Sequence, residues 1–154
     1  MKKTLAILLF VAVSFGTYAQ SDNDYVEMMR SVLKTEKKAA IVEAMQLTDA
    51  ESAPFWELYK EYNDKMYTAQ NKRIKAIKDY ADNYENLSDE KADEIWNLVL
   101  KFKQESAKLQ KSYYKKFKKI LPTAKAVRYF QVENKIEALI AANLALEIPL
   151  VETK

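Results

Sequence analysis

Leu47-Thr48-Asp49-Ala50-Glu51-Ser52-Ala53-Pro54-Phe55-Trp56-Glu57-Leu58-Tyr59 is answered forty residues later by Leu87-Ser88-Asp89-Glu90-Lys91-Ala92-Asp93-Glu94-Ile95-Trp96-Asn97-Leu98-Val99. Each copy sets a leucine just outside a helix, a hydroxyl residue at its mouth and a bulky pair two turns inside. Thr48 and Ser88 are good N-caps, because a side-chain oxygen accepts from an otherwise orphaned backbone N–H. Thr48 and Glu51 complete a capping box; in the second copy Lys91 stands in the glutamate's place. A weaker third copy begins Leu121-Pro122-Thr123 and carries Tyr129-Phe130 at the same offset. Proline suits a first helical turn and Thr123 offers a hydroxyl, so the sequence leaves the cap open between them.

Outward from these starts run two long stripes. One is Phe55, Tyr59, Tyr62, Met66, Ala69, Arg73, Ile77, Tyr80 and Tyr84; the other is Ile95, Val99, Phe102, Ser106, Leu109, Tyr113, Phe117 and Ile120. Both step by three and four, the period of an amphipathic helix. Upstream, Tyr25, Met28, Met29, Val32 and Leu33 open another helix that reaches Met45. Downstream, Val127, Phe130, Ile136, Leu139, Ile140 and Leu144 mark a last one, which Pro149 ends. From about residue 148, Ile148-Pro149-Leu150-Val151 reads as an extended tail suited to a groove.

The expected fold is all-α, with helices over about 22–45, 49–84, 89–120 and 123–147. At 1.5 Å per residue the middle two are roughly 45–55 Å long, against ~30 Å for a compact domain of this size. An extended antiparallel hairpin that intertwines with a second copy resolves that mismatch. A plain four-helix monomer would use the same stripes.

Composition narrows function. The chain has no Cys and no His, and its one glycine is Gly16. Thiol, imidazole and Ser-His-Asp chemistry therefore lack their residues, as does a soft metal site, and downstream of Gly16 there is no Gly-rich phosphate cradle. The expectation is a binding protein without cofactor or metal, not an enzyme. Lys2 and Lys3, the apolar run Leu5 to Phe15, and Thr17-Tyr18-Ala19 have the layout of a cleaved signal peptide over residues 1–19. The run is shorter than the ~20 residues of a membrane span, so cleavage between Ala19 and Gln20 would leave one exported domain, residues 20–154, with no stable membrane span. Removing Lys2 and Lys3 from the 25 basic residues leaves 23 against 22 acidic ones, a net of +1. Such a balance carries no nucleic-acid signature.

The three elements Leu47-Thr48-Asp49-Ala50-Glu51, Leu87-Ser88-Asp89-Glu90-Lys91 and Leu121-Pro122-Thr123-Ala124-Lys125 resemble the helix starts of the Spy/CpxP-like (LTxxQ) family of periplasmic stress proteins, with Glu51, Lys91 and Lys125 standing where the family has glutamine. Arg128 to Lys135 and the Ile148-Pro149-Leu150 tail look like the branch labelled as sensors of extracytoplasmic sigma factors. The resemblance implies a periplasmic, cradle-shaped homodimer, either an ATP-independent chaperone for partly unfolded envelope proteins or a regulator docking on a membrane sensor. A self-associating structural protein is a third reading of the same stripes.

Two surfaces could carry binding. The run Lys111-Ser112-Tyr113-Tyr114-Lys115-Lys116-Phe117-Lys118-Lys119 places Tyr113 and Phe117 on an apolar side and Lys111, Lys115, Lys118 and Lys119 on flanking and outer faces. It reads as a cationic rim that steers clients to aromatic surface, or as a solvated end that offsets the helix dipole. Tyr59, Tyr62, Met66 and Tyr67, beside Lys60, Lys65 and Lys72, suit an adaptable surface; the same spacing also describes core. Trp56 and Trp96 read as equivalent structural anchors. The acidic residues Asp79, Asp82, Glu85, Asp89, Glu90, Asp93 and Glu94 read as dipole compensation and solvation rather than a hard-cation site.

Overall fold

A computed structural model describes residues 21–152, with side-chain environments from Arg30 onward. The proposed leader, residues 1–19, lies outside the described residues. Among the described residues four α-helices are found: α1 (Ser21–Met45), α2 (Asp49–Asn83), α3 (Asp89–Ile120) and α4 (Thr123–Glu147). No strand occurs among the described residues. The chain divides into two units, up to Glu36 and from Lys37 onward. In the first, the Thr35 hydroxyl donates to the Ser31 carbonyl at 3.1 Å. The interhelical contacts lie within the second.

The helix starts follow their caps. Glu51 accepts from the Thr48 backbone N–H at 2.9 Å, closing the capping box. Ser88 Oγ accepts from the Lys91 N–H at 3.2 Å. At the third copy the cap position falls to Pro122, and Thr123 is the first helical residue. Pro122 has no side-chain acceptor; its carbonyl accepts from Ala126 at 3.0 Å. A 3-10 turn, Tyr84–Asn86, joins the two long helices.

These long helices pack antiparallel along their length, as their cross-links show. Tyr113 and Lys116 reach Glu61, Lys72 reaches Glu105, and Lys91 reaches Asp79. Helix α4 turns back along α3, with Phe117 on Tyr129 and Gln110 on Asn134. It thus runs parallel to α2, and Lys125 pairs with Glu51, Arg73 with Glu137, and Tyr80 with Pro149. Arg73, in the middle of a tyrosine-rich stripe, stacks on Phe102 at 5.4 Å while pairing with Glu137, so one guanidinium ties three helices. The C-terminal part of α1 lies antiparallel to α2 and α4. Arg128 donates to the Ala44 carbonyl at 2.6 Å and Lys125 to that of Gln46 at 3.4 Å. These cations from α4 satisfy carbonyls that α1 leaves open at its end.

Most of the core gathers at one end. Ile41 and Met45 of α1, Phe55, Tyr59 and Tyr62 of α2, Tyr113 and Phe117 of α3, and Tyr129 of α4 are buried together. Phe117 meets Tyr129 at 4.5 Å and Phe55 at 5.4 Å between ring centroids, within the range of favourable aromatic pairs. Beyond Phe102 the interior is thin: Ala76 and Ile95 are the buried residues there. The tail is tethered where Tyr80 donates to the Pro149 carbonyl at 3.1 Å. Contrary to the expectation of a groove-bound tail, Leu150 is 89% exposed and Val151 also faces out.

Phe117→Ala should cost about 3–5 kcal/mol, whereas Trp96→Ala, at an exposed position, should change stability by no more than about 0.5 kcal/mol. Urea unfolding of both variants measures the difference; similar losses would contradict the placement of the core.

Candidate functional site

The basic run occupies the last three turns of α3. Tyr113 and Phe117 point inward and are buried, while Lys111, Lys115, Lys118 and Lys119 stay exposed, as the helical register dictates. Tyr113 is therefore core and not a client contact. Its hydroxyl donates to Glu61 Oε1 at 2.6 Å, and Lys116 joins the same oxygen at 3.0 Å while lying 4.4 Å from the Tyr113 ring centroid. Tyr114 is half-buried against Phe130, with Lys118 over its ring at 5.1 Å. The reachable part of this surface is Lys111, Tyr114, Lys115, Lys118 and Lys119.

The second expected surface is corrected more strongly. Tyr59, Tyr62 and Met66 are buried, so none meets a partner in this packing; Tyr67, on the opposite side of the same turn, is 41% exposed. Helical periodicity identifies an apolar face but not the neighbour that covers it. Here α3 and α4 supply cover, through Tyr113, Tyr129 and Phe130.

The two tryptophans also part company. Trp56 is half-buried edge-on to Phe55 at 5.0 Å, with Lys38 of α1 over its ring at 5.2 Å. Trp96 is 57% exposed and meets Lys103 at 5.6 Å; it is no anchor. In each repeat the preceding residue, Phe55 or Ile95, takes the inward position. Trp96, Leu100 and Lys103 share one face of α3 by their spacing, and both apolar members are exposed. On α4, Leu139 and Leu146 form a second exposed row, continued by Leu150. Helical spacing alone does not separate these rows from the buried stripes beside them.

A buried polar cluster sits where α1, α2 and α4 meet. Glu133, 7% exposed, accepts from Lys37 at 2.8 Å, and Lys37 also donates to Asn63 at 2.8 Å. The Tyr59 hydroxyl is buried without a protein hydrogen-bond partner, whereas the buried hydroxyls of Tyr129 and Tyr62 face Glu133 and Gln110. Burial, with the Glu133 carboxylate adding to it, pushes all three phenols far above their ordinary range, so they are protonated at any physiological pH. Such a buried orphan costs about 1–3 kcal/mol. In the sequence this site left one faint trace, the i,i+4 spacing of Tyr129 and Glu133.

The acidic residues sort as dipole and pairing charges. Asp79 accepts from Lys75 at 2.6 Å and Lys91 at 3.3 Å, and Asp89 and Glu90 lie in the first turn of α3. Among the described residues no group of three or more His, Cys, Asp or Glu could hold a metal ion. No helix among them is long and apolar enough to cross a membrane. The chain matches no known family model, no curated protein and no solved structure.

Glu51 is held below the usual carboxyl range by its bond to Lys125, and Glu61 by its bonds to Tyr113 and Lys116. With folded values below the unfolded ones, their contribution is present above the ordinary carboxyl range. It is lost as pH falls through the depressed values, because the unfolded chain takes up protons first. Melting temperature should therefore fall on acidification below about pH 5, and Glu61→Gln with Glu51→Gln should flatten that fall. An unchanged acid limb in the double variant would contradict these pairings.

Proposed function

We propose that this chain is an exported, ATP-independent chaperone-like protein that holds partly unfolded envelope proteins. The observation that carries the reading is the pair of exposed apolar rows, Trp96 with Leu100 and Leu139 with Leu146, in a chain rich in exposed lysine. Exposed apolar side chains grouped by helical spacing mark interaction sites in proteins whose remaining surface is charged. The lysines Lys111, Lys115, Lys118 and Lys119 add a screened, long-range attraction for acidic segments. Unfolded clients need little shape complementarity, and rows of single side chains offer little.

The likeness of the three Leu-led helix starts to Spy/CpxP-like proteins supports the same reading, as does the signal-like leader. A regulator docking on one membrane sensor is the alternative that the sigma-factor-sensor likeness favours. A homodimer built over the exposed row of α4 would fit either.

Aggregation of several chemically denatured, unrelated proteins separates the two. With the chain at near-stoichiometric ratio, light scattering should fall by at least half at low salt and by less at 0.5 M salt. Trp96→Ser with Leu100→Ser should weaken the effect severalfold without changing helicity. Absence of suppression for every client would reject the holdase reading.

A further inference from the structure

We propose that the outer face of the second half of α3 docks on an anionic phospholipid surface. Its contact is a row of unpaired lysines, Lys108, Lys111, Lys115 and Lys118, with Lys119 beside them.

The row stands in a stretch of one sign. Residues 106–132 carry eight basic side chains and no acidic one. Three of the eight are engaged inside the molecule: Lys116 pairs with Glu61, Lys125 with Glu51, and Arg128 donates to the Ala44 carbonyl. The other five are exposed, and among the described residues none of them pairs with a carboxylate. Lys108, Lys111, Lys115 and Lys118 step by three and four, so they share one side of α3. That side lies opposite the buried Tyr113 and Phe117. From Lys108 to Lys119 the row is about 16 Å long, at 1.5 Å per residue.

Shape and charge together select the partner. The row runs along the convex back of a helix, and the exposed large apolar residues of α3, Trp96 and Leu100, lie in its first half. A polypeptide on the row would find charge without an apolar grip, and exposed charge pairs are weak and screened by salt. A bilayer presents many headgroup charges in one plane. A straight row of lysines meets several of them at once, and each adds to the attraction. Helix α3 also begins with Asp89, Glu90 and Asp93, all exposed. Its charge is thus divided lengthwise, negative at the start and positive at the end. An anionic surface attracts one half and repels the other, so α3 meets the membrane by its second half and tilts Trp96 and Leu100 away from the lipid. This docking does not depend on client binding at the apolar rows.

The test is co-sedimentation of the full chain with two sets of vesicles, pure phosphatidylcholine and phosphatidylcholine mixed with phosphatidylglycerol. Binding to the anionic set should be tighter by roughly tenfold or more, and 0.5 M salt should remove the difference. Lys108→Gln, Lys111→Gln, Lys115→Gln and Lys118→Gln together should weaken anionic binding by roughly tenfold or more. Lys60→Gln, Lys65→Gln, Lys75→Gln and Lys135→Gln remove the same charge from exposed lysines elsewhere and should weaken it less than about threefold. Residues 1–19 are common to every form, so their contribution cancels in these ratios. All eight side chains are exposed, and circular dichroism checks that both variants stay helical. Equal binding to the two sets of vesicles, or equal losses in the two quadruple variants, would overturn the proposal. So would displacement from the vesicles by a glutamate-rich peptide whose carboxylate concentration matches the accessible lipid charge, since the row would then be a site for acidic polypeptide. Self-association at low salt that the first variant abolishes, without vesicle binding, would also overturn it and would place Asp89, Glu90 and Asp93 of a second copy on the row. Aggregation suppression, measured without vesicles, tests the apolar rows and is decided by none of these results.

Discussion

The contact of Phe117 with Tyr129, 4.5 Å between ring centroids, is the point on which the packing of the helices turns. Phe117 belongs to α3 and Tyr129 to α4, and both meet Phe55 of α2, at 5.4 and 5.3 Å. Three helices therefore converge on three rings. The turn between α3 and α4 is short, with Leu121 buried and its N–H bonded to the Phe117 carbonyl at 2.9 Å. That geometry fixes the direction of α4, and α4 then presents Arg128, Lys125 and Glu133 to the end of α1. A chain with a single glycine near its start and no cysteine has few other means of fixing helix direction. Bulky rings at the repeat positions do it instead.

One consequence is an uneven distribution of cohesion. Around Phe117 the interior is closed, aromatic and shared by four helices. Toward the turn between α2 and α3 it narrows to Ala76 and Ile95, and ion pairs such as Lys91 with Asp79 do more of the bridging. Exposed ion pairs contribute little each, so that end is held less firmly. It is also where Trp96, Leu100, Leu139 and Leu146 face solvent. A closed end that keeps the helices in register and a thinner end with apolar side chains exposed is the division that the proposed holdase would use. At the closed end the buried Glu133 carboxylate of α4 is paired with Lys37 of α1.

The helices were legible in the sequence because their signals are local. Thr48, Ser88 and the Leu121-Pro122 junction mark starts, and the three-and-four stepping carries each helix to within a residue of its observed end. The surface was less legible, for a physical reason. Tyr59, Tyr62 and Met66 have the same spacing whether they face a partner or a neighbouring helix, and spacing says nothing about which helix lies above. Trp56 and Trp96 hold the same repeat position, yet only Trp56 has α1 beside it, through Lys38. Lys37 and Glu133 are far apart in sequence, and no local pattern couples them. Pairing of that kind depends on tertiary register, and register here comes from the rings.

The central claim is that client contact belongs to the exposed rows and not to the tyrosine stripe. Amide hydrogen exchange, read segment by segment with and without a denatured client, tests it most directly. Added protection over residues 96–103 and 139–151, with little change over 59–66, is the predicted result. Protection confined to 59–66 and 113–117, or no change anywhere, would contradict the account.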